Sequence, residues 1–168
     1  MYIISDGGIG VNNNTIDAIM LTKNLSYIDG IKLDVRMSLD NILVLAKDED
    51  LSKNTFSKEK VSKSNYHYLR KVKFHSHIFK YYIPTLNEVL KNYNKEKIIV
   101  LDIHEDERIS IIINKLLSLV YEYSYTYYFY SSSKLVIEEL KKYSLNNILT
   151  DDNIANYIKI INYPLFDK

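Results

Sequence analysis

The sequence predicts an α/β domain of about six parallel strands joined by helical crossovers. Short β-branched runs alternate along the chain with segments of helical period, the pattern of repeated strand–helix–strand units. Ile98-Ile99-Val100-Leu101 is apolar at four consecutive positions, as in a strand covered on both faces. The 168 residues suit one domain, 1–168, with no internal repeat or linker. That length buries roughly two-thirds of the unfolded surface.

Each element follows from its residues. Residues 2–5, Tyr-Ile-Ile-Ser, read as the first strand. Thr15 is a cap for a helix over 16–23, where Ile16, Ile19 and Met20 share a face. Residues 30–35 and 42–46 read as strands, parallel like the rest. Asp40-Asn41 makes the turn between them, because Asn tolerates a left-handed backbone. Residues 52–82 are polar and Lys-rich, a long loop with a short helix over 65–70. Thr85 and Glu88 form a capping-box pair for a helix reaching about Tyr93. Then come a strand over 97–103, an apolar helix over 109–120, a strand over 125–131, a helix over 133–143, a strand over 147–150 and a helix over 152–161.

Composition narrows the function classes. A net charge of +1 gives no electrostatic case for nucleic acid. With no cysteine there is neither a disulfide framework nor a thiolate metal site. No leader-like segment precedes the first strand, and no apolar run nears the ~20 residues of a membrane span, so the cytoplasm is expected. Sixteen tyrosines against no tryptophan, with abundant Lys, Asn and Ile, fit an AT-rich genome. The alternative is a binding surface: Tyr121, Tyr123, Tyr125, Tyr127, Tyr128 and Tyr130 place an aromatic face on one strand. No nucleophile elbow, P-loop or dinucleotide fingerprint is present. Gly7-Gly8-Ile9-Gly10 is the one stretch able to cradle a phosphate with backbone amides.

Five motifs in order carry a family resemblance. They are Ser5-Asp6-Gly7-Gly8 with Asn13-Asn14-Thr15, the stretch from Gly30 to Thr55, Ile83-Pro84-Thr85-Leu86-Asn87-Glu88-Val89-Leu90, Leu101-Asp102-Ile103-His104, and Ile148-Leu149-Thr150-Asp151. Together they resemble the glycerophosphodiester phosphodiesterase family over most of residues 1–155. The resemblance implies a parallel (β/α) barrel of the TIM, phospholipase-C-like phosphodiesterase type, shortened here to about six strands. It also implies a role in lipid metabolism, by hydrolysis of glycerophosphodiesters to glycerol 3-phosphate and an alcohol. A barrel of eight strands needs ~250 residues. The missing part is expected between strands 125–131 and 147–150. Self-association or a protein partner is then expected there, through the Tyr-rich strand and the tail Tyr163-Pro164-Leu165-Phe166.

The resemblance also places the site, and the chemistry there differs. Asp6 and Lys47 stand where the family has its two catalytic His. Lys32 stands for the first metal-binding Glu, leaving Asp34 and Asp102 as the remaining acids. Gly7, Gly8, Asp48 and His104 complete the expected cleft, while His67, His75 and His77 are expected at the surface. An active member would hold calcium or magnesium through carboxylate oxygens. An ammonium between two carboxylates takes the cation's place, so no cofactor is expected. The expectation is a pseudoenzyme with a binding, structural or regulatory role. The alternative is an active metal-dependent phosphodiesterase, in which the lysines would turn outward.

Overall fold

The computed structural model describes residues 1–10, 12–75, 82–104 and 106–163, with Tyr163 described by its backbone alone. Chain order is β1 (Tyr2–Ile9), α1 (Ile16–Thr22), β2 (Gly30–Met37), β3 (Leu43–Leu45), α2 (Tyr66–Leu69), α3 (Leu86–Asn92), β4 (Ile98–Ile103), α4 (Ile109–Glu122), β5 (Thr126–Tyr130), α5 (Lys134–Lys141), β6 (Ile148–Leu149), α6 (Ile154–Tyr157) and β7 (Ile158–Tyr163). The sheet runs β6-β5-β4-β2-β1-β7, every pairing along that path parallel, with β3 attached to β2. This is part of a parallel barrel, left open between β6 and β7 among the described residues.

Strand parity builds two faces. Ile31, Leu33, Val35, Ile99, Leu101, Ile103, Tyr127 and Phe129 point outward and pack beneath Leu86, Val89 and Leu90 of α3, Ile112, Ile113 and Leu116 of α4, and Val136, Ile137 and Leu140 of α5. Each fully buried Leu or Ile there contributes about 1.5–3 kcal/mol. The inner face carries an apolar cluster of Ile4, Ile98, Val100, Leu149 and Ile158. Farther along the same strands it is charged, with Asp6, Lys32, Asp34 and Asp102 all buried.

The shortened barrel covers this inner face with its own chain. Ile154 of α6 packs on the inner apolar cluster. Tyr157 lies 6.5 Å from Tyr128, which lies 6.4 Å from Tyr2, ring centre to centre. The connection from β6 to β7 therefore crosses the concave side.

Several expectations are corrected. The strand at 42–46 is antiparallel to β2, through Val35–Leu45 and Met37–Leu43. A tight turn can join only antiparallel strands, and Asn41 is left-handed there (φ +61°) as its residue type allows. The helix expected over 152–161 is only the turn Ile154–Tyr157, and its last four positions belong to strand β7, paired with β1 from Tyr2–Ile158 to Ile9–Tyr163. Ile154, Ile158 and Ile161 have helical spacing, but the free side of β1 offers a ladder to a β-branched run. Tertiary pairing overrides local pattern here. The opening is not between the strands at 125–131 and 147–150. These pair through Phe129–Ile148 and Tyr130–Leu149.

The aromatic strand β5 is not a one-sided aromatic surface. Tyr127 and Phe129 are buried under helices, while Tyr128 and Tyr130 face inward. Thr15 makes no side-chain cap, and its hydroxyl donates instead to the Asn12 carbonyl at 2.8 Å. Thr85 does cap α3, accepting from the Glu88 amide at 3.0 Å. Glu88 turns away and accepts from the Tyr82 hydroxyl, so half the capping box forms. His77 and the tail residues 164–166 lie outside the described residues. No helix among the described residues is long and apolar enough to cross a membrane.

Candidate active site

The charged cluster is assembled by register. β1, β2 and β4 are parallel neighbours, with Asp6 beside Lys32 and Asp34 beside Asp102. Residues 6, 32, 34 and 102 therefore project to one side, and the two-residue step along β2 brings Lys32 and Asp34 to the same face. The Lys32 ammonium lies 2.8 Å from Asp102 Oδ2, 3.1 Å from Asp6 Oδ1 and 3.4 Å from Asp34 Oδ1. Lys47, two residues past β3, brings a second ammonium to 3.3 Å from the other Asp6 oxygen. Its side chain is half exposed, whereas Lys32 is buried.

Asp34 is the most enclosed acid, 1% exposed. The Asn14 amide donates to its Oδ2 at 2.7 Å, and the Asp34 backbone amide donates back to Asn14 Oδ1 at 2.9 Å. His104 Nε2 lies 2.9 Å from Asp34 Oδ1. Burial works to raise the Asp34 pKa. The bond from His104, the charge of Lys32 and the Asn14 amide outweigh it and hold the carboxyl well below the usual range. Asp102 goes the other way, because burial and the neighbouring Asp34 charge exceed the help from Lys32. Burial would lower Lys32, but Asp34, Asp102 and Asp6 together hold it well above an ordinary lysine. Lys32 is therefore a fixed positive charge, unsuited to moving protons near neutrality.

The other expected residues divide. Asp48 accepts from Lys53 Nζ at 2.6 Å and Asn54 Nδ2 at 3.2 Å. It lines a small cavity beside the cluster with Asn13, Asn14, Lys47 and Thr55. Gly7 and Gly8 have left-handed backbones (φ +67° and +105°), and a Cβ on Gly8 would stand 2.4 Å from the Ala18 backbone. Gly8 allows α1 to pack closely on β1, and Gly7 allows the loop at Asn13 and Asn14 to do so; the Gly7 carbonyl accepts from the Asn14 backbone N–H at 2.7 Å. His67 contacts Lys71, and His75 packs edge-on against Phe56.

Two residues escaped the sequence reading as site members. Asn14 grips Asp34 at both ends, and its signal was an Asn able to take the left-handed conformation it adopts (φ +63°). Tyr130 lies beside Asp102 in the ladder and donates to Asp151 Oδ1 at 2.5 Å. Burial and then that bond push its hydroxyl up to about 12. Its signal was lost among sixteen tyrosines.

The calcium or magnesium implied by the resemblance does not fit this donor set. Hard cations take six or more oxygens, and here an ammonium stands among the carboxylates with an imidazole as a further donor. Asp34, Asp102 and His104 do place one donor atom each within 4.8 Å of one another.

Comparison with known proteins places this geometry. The profile of the glycerophosphoryl diester phosphodiesterase family matches residues 8–150. No protein of curated function matches. Among solved structures, a glycerophosphodiester phosphodiesterase from Thermotoga maritima superposes with a TM-score of 0.73 at 23% identity, over 89% of this chain and 61% of that one. A phosphodiesterase from Oleispira antarctica, in complex with the product sn-glycerol-3-phosphate, gives 0.76 at 18% identity, over 95% and 64%. A glycerophosphodiester phosphodiesterase from Agrobacterium tumefaciens str. C58 gives 0.74 at 20%, over 86% and 62%. The chain thus spans 61–64% of the length of these three structures.

Proposed function

The chain belongs to the glycerophosphoryl diester phosphodiesterase family, and from that premise we propose a domain that binds or assembles without hydrolysing phosphodiesters. The observation that carries this is the Lys32 ammonium within 3.4 Å of Asp6, Asp34 and Asp102. The resemblance implies hydrolysis with a divalent cation on the phosphoryl oxygens and groups to take and give protons. The position of the cation is filled by a side chain. Asp6 and Lys47, at the two positions of the acid and base, are paired with each other at 3.3 Å. Losing a general acid–base group costs about 10²–10⁴-fold in rate.

The test is turnover of glycerophosphocholine with millimolar calcium, magnesium or manganese. No release of glycerol 3-phosphate above the uncatalysed rate is expected. Release that vanishes on Asp34→Ala would overturn the proposal. The second reading, a metal-dependent hydrolase of glycerophosphodiesters, is favoured by the trio Asp34, Asp102 and His104. The same assay separates the two.

Self-association is part of the same reading. An open parallel sheet leaves backbone groups of its edge strands unpaired. Met1, Tyr2, Tyr157 and Ile160 add exposed apolar surface near β7. Light scattering at high micromolar concentration is expected to show an oligomer that weakens on Ile160→Lys. A monomer throughout would mean that the domain stands alone with its edges open.

A further inference from the structure

We propose that the Lys-rich excursion between β3 and α3 docks this domain on an anionic lipid bilayer, with Phe56 entering the interface and the surrounding lysines holding the headgroups. The proposal does not depend on whether the charged cluster turns over a substrate.

Charge distribution is the first argument. Residues 51–75 carry seven Lys or Arg and one acid, Glu59, in a chain with 22 basic and 21 acidic residues. The rest of the chain is therefore net negative. All seven cations are exposed. Asp48 pairs with Lys53 at 2.6 Å, and Glu88 lies 4.0 Å from Arg70. Among the described residues, Lys58, Lys60, Lys63, Lys71 and Lys73 make no ion pair. The positive field is thus confined to one lobe and is not cancelled within it.

Shape is the second. The excursion folds around a small core of its own, Leu51, Val61, Leu69 and Val72 with Val44 and Ile83. Thr55 and Phe74 form an antiparallel bridge, and the Phe56 N–H donates to the Lys73 carbonyl at 3.0 Å. Thr55 is buried and Phe74 packs on the small core. Alternation then turns the adjoining residues, Phe56 and Lys73, to the outer side. Phe56 is 62% exposed there. Tyr68, 44% exposed, is tied to the next residue by a 2.8 Å bond between its hydroxyl and that of Ser57. A single exposed aromatic ring is ordinary. This one has Lys58 two residues along the chain and Lys73 across the pair.

Partner chemistry is the third. A phenyl ring makes no hydrogen bond to a base or a peptide, but it enters the headgroup boundary of a bilayer. Lysine stems lie along such a surface while their ammonium groups reach its anions. A planar surface can meet the lobe alone, whereas an extended nucleic acid would run on over the negative remainder of the chain. No helix among the described residues spans a membrane, so the contact is peripheral. Each lysine strengthens it by about five-fold on an anionic surface. The lobe also supplies Asn54, Thr55 and Phe74 to the small cavity that Asn14 and Lys47 line beside the charged cluster. Docking through the lobe therefore holds the mouth of the half-barrel next to the lipid.

The test is co-sedimentation of the purified chain with vesicles of phosphatidylcholine, alone or with about a third phosphatidylserine, at ~0.1 M and ~1 M salt. Binding is expected at least ~10-fold tighter to the anionic vesicles and is expected to be lost at the higher salt. Lys58→Gln with Lys73→Gln should weaken it roughly 20-fold. Phe56→Trp gives a chain without tryptophan its sole reporter. Its emission should shift to the blue on anionic vesicles and be quenched by brominated lipid. Equal binding to both vesicle types, or no binding to either, would overturn the proposal. So would a bound Phe56→Trp chain whose emission is neither shifted nor quenched. Duplex DNA at the lower salt is the competing polyanion, and binding to it as tight as to the anionic vesicles would also overturn the proposal. The vesicle and DNA arms use the wild-type chain and need no variant to fold. Turnover of glycerophosphocholine would refute the proposed function and leave these outcomes unchanged.

Discussion

Asp34→Ala is expected to lower the free energy of unfolding at pH 7 by about 3–5 kcal/mol, the usual cost of removing one partner from a buried ionic network. Asp34 is 1% exposed and joins Lys32, His104 and Asn14. Its loss leaves the Asn14 amide unpaired in the interior and takes one of three counter-charges from a buried ammonium. Urea unfolding measures this, and a loss below about 1 kcal/mol would show that the network is solvated or rearranges freely.

The pH dependence has a definite sign. The folded Asp34 pKa lies below its unfolded value of about 3.9. Its stabilisation is therefore complete above that unfolded value and is lost as the pH falls through the folded one. Asp102 is shifted upward, so its contribution is favourable at low pH and is lost as the pH rises through its folded pKa. Asp102→Asn is accordingly expected to cost less than Asp34→Asn at pH 7. On acidification the cost of Asp34→Asn should shrink while that of Asp102→Asn grows. Parallel pH profiles for the two variants would contradict the opposite shifts.

Gly8→Ala is expected to destabilise by about 4 kcal/mol or to prevent folding. At φ +105° an L-residue is strained by about 1–3 kcal/mol. The new Cβ would also stand 2.4 Å from the backbone carbon and oxygen of Ala18. That neighbour is the backbone of α1, which cannot rotate aside, and overpacking of this kind costs about 1–3 kcal/mol more. The result bears on function, because a glycine kept for a phosphate cradle would tolerate a methyl in the absence of ligand. Near-wild-type stability of Gly8→Ala, by chemical unfolding, would revive the cradle.

Much of the scaffold was legible because local patterns and global fold agree. The apolar run 98–101 and the helical face of α4 point to a strand–helix unit of a parallel sheet, and the resemblance carried by the stretch from Gly30 to Thr55 implies the barrel. The substitutions at Asp6, Lys32 and Lys47 were equally visible, since residue type alone tells an ammonium from a carboxylate or an imidazole. The sequence also implied that such charges, if buried, must pair.

What it did not contain was register in three dimensions. The antiparallel course of β3 was available in principle from the tight Asp40-Asn41 turn. The fate of 158–163 was not, because its isoleucines suit either a helix or a strand, and only the free side of β1 decides between them. How the inner face is covered, by Ile154 and Tyr157 of the returning chain, depends on which strand edges remain open. At the site, residue identity set which charges exist. The parallel ladders of β1, β2 and β4 set which of them meet, placing one ammonium against three carboxylates and Asn14 behind Asp34. Those distances come from contacts between residues up to 70 positions apart in the chain, as Lys32 and Asp102 are.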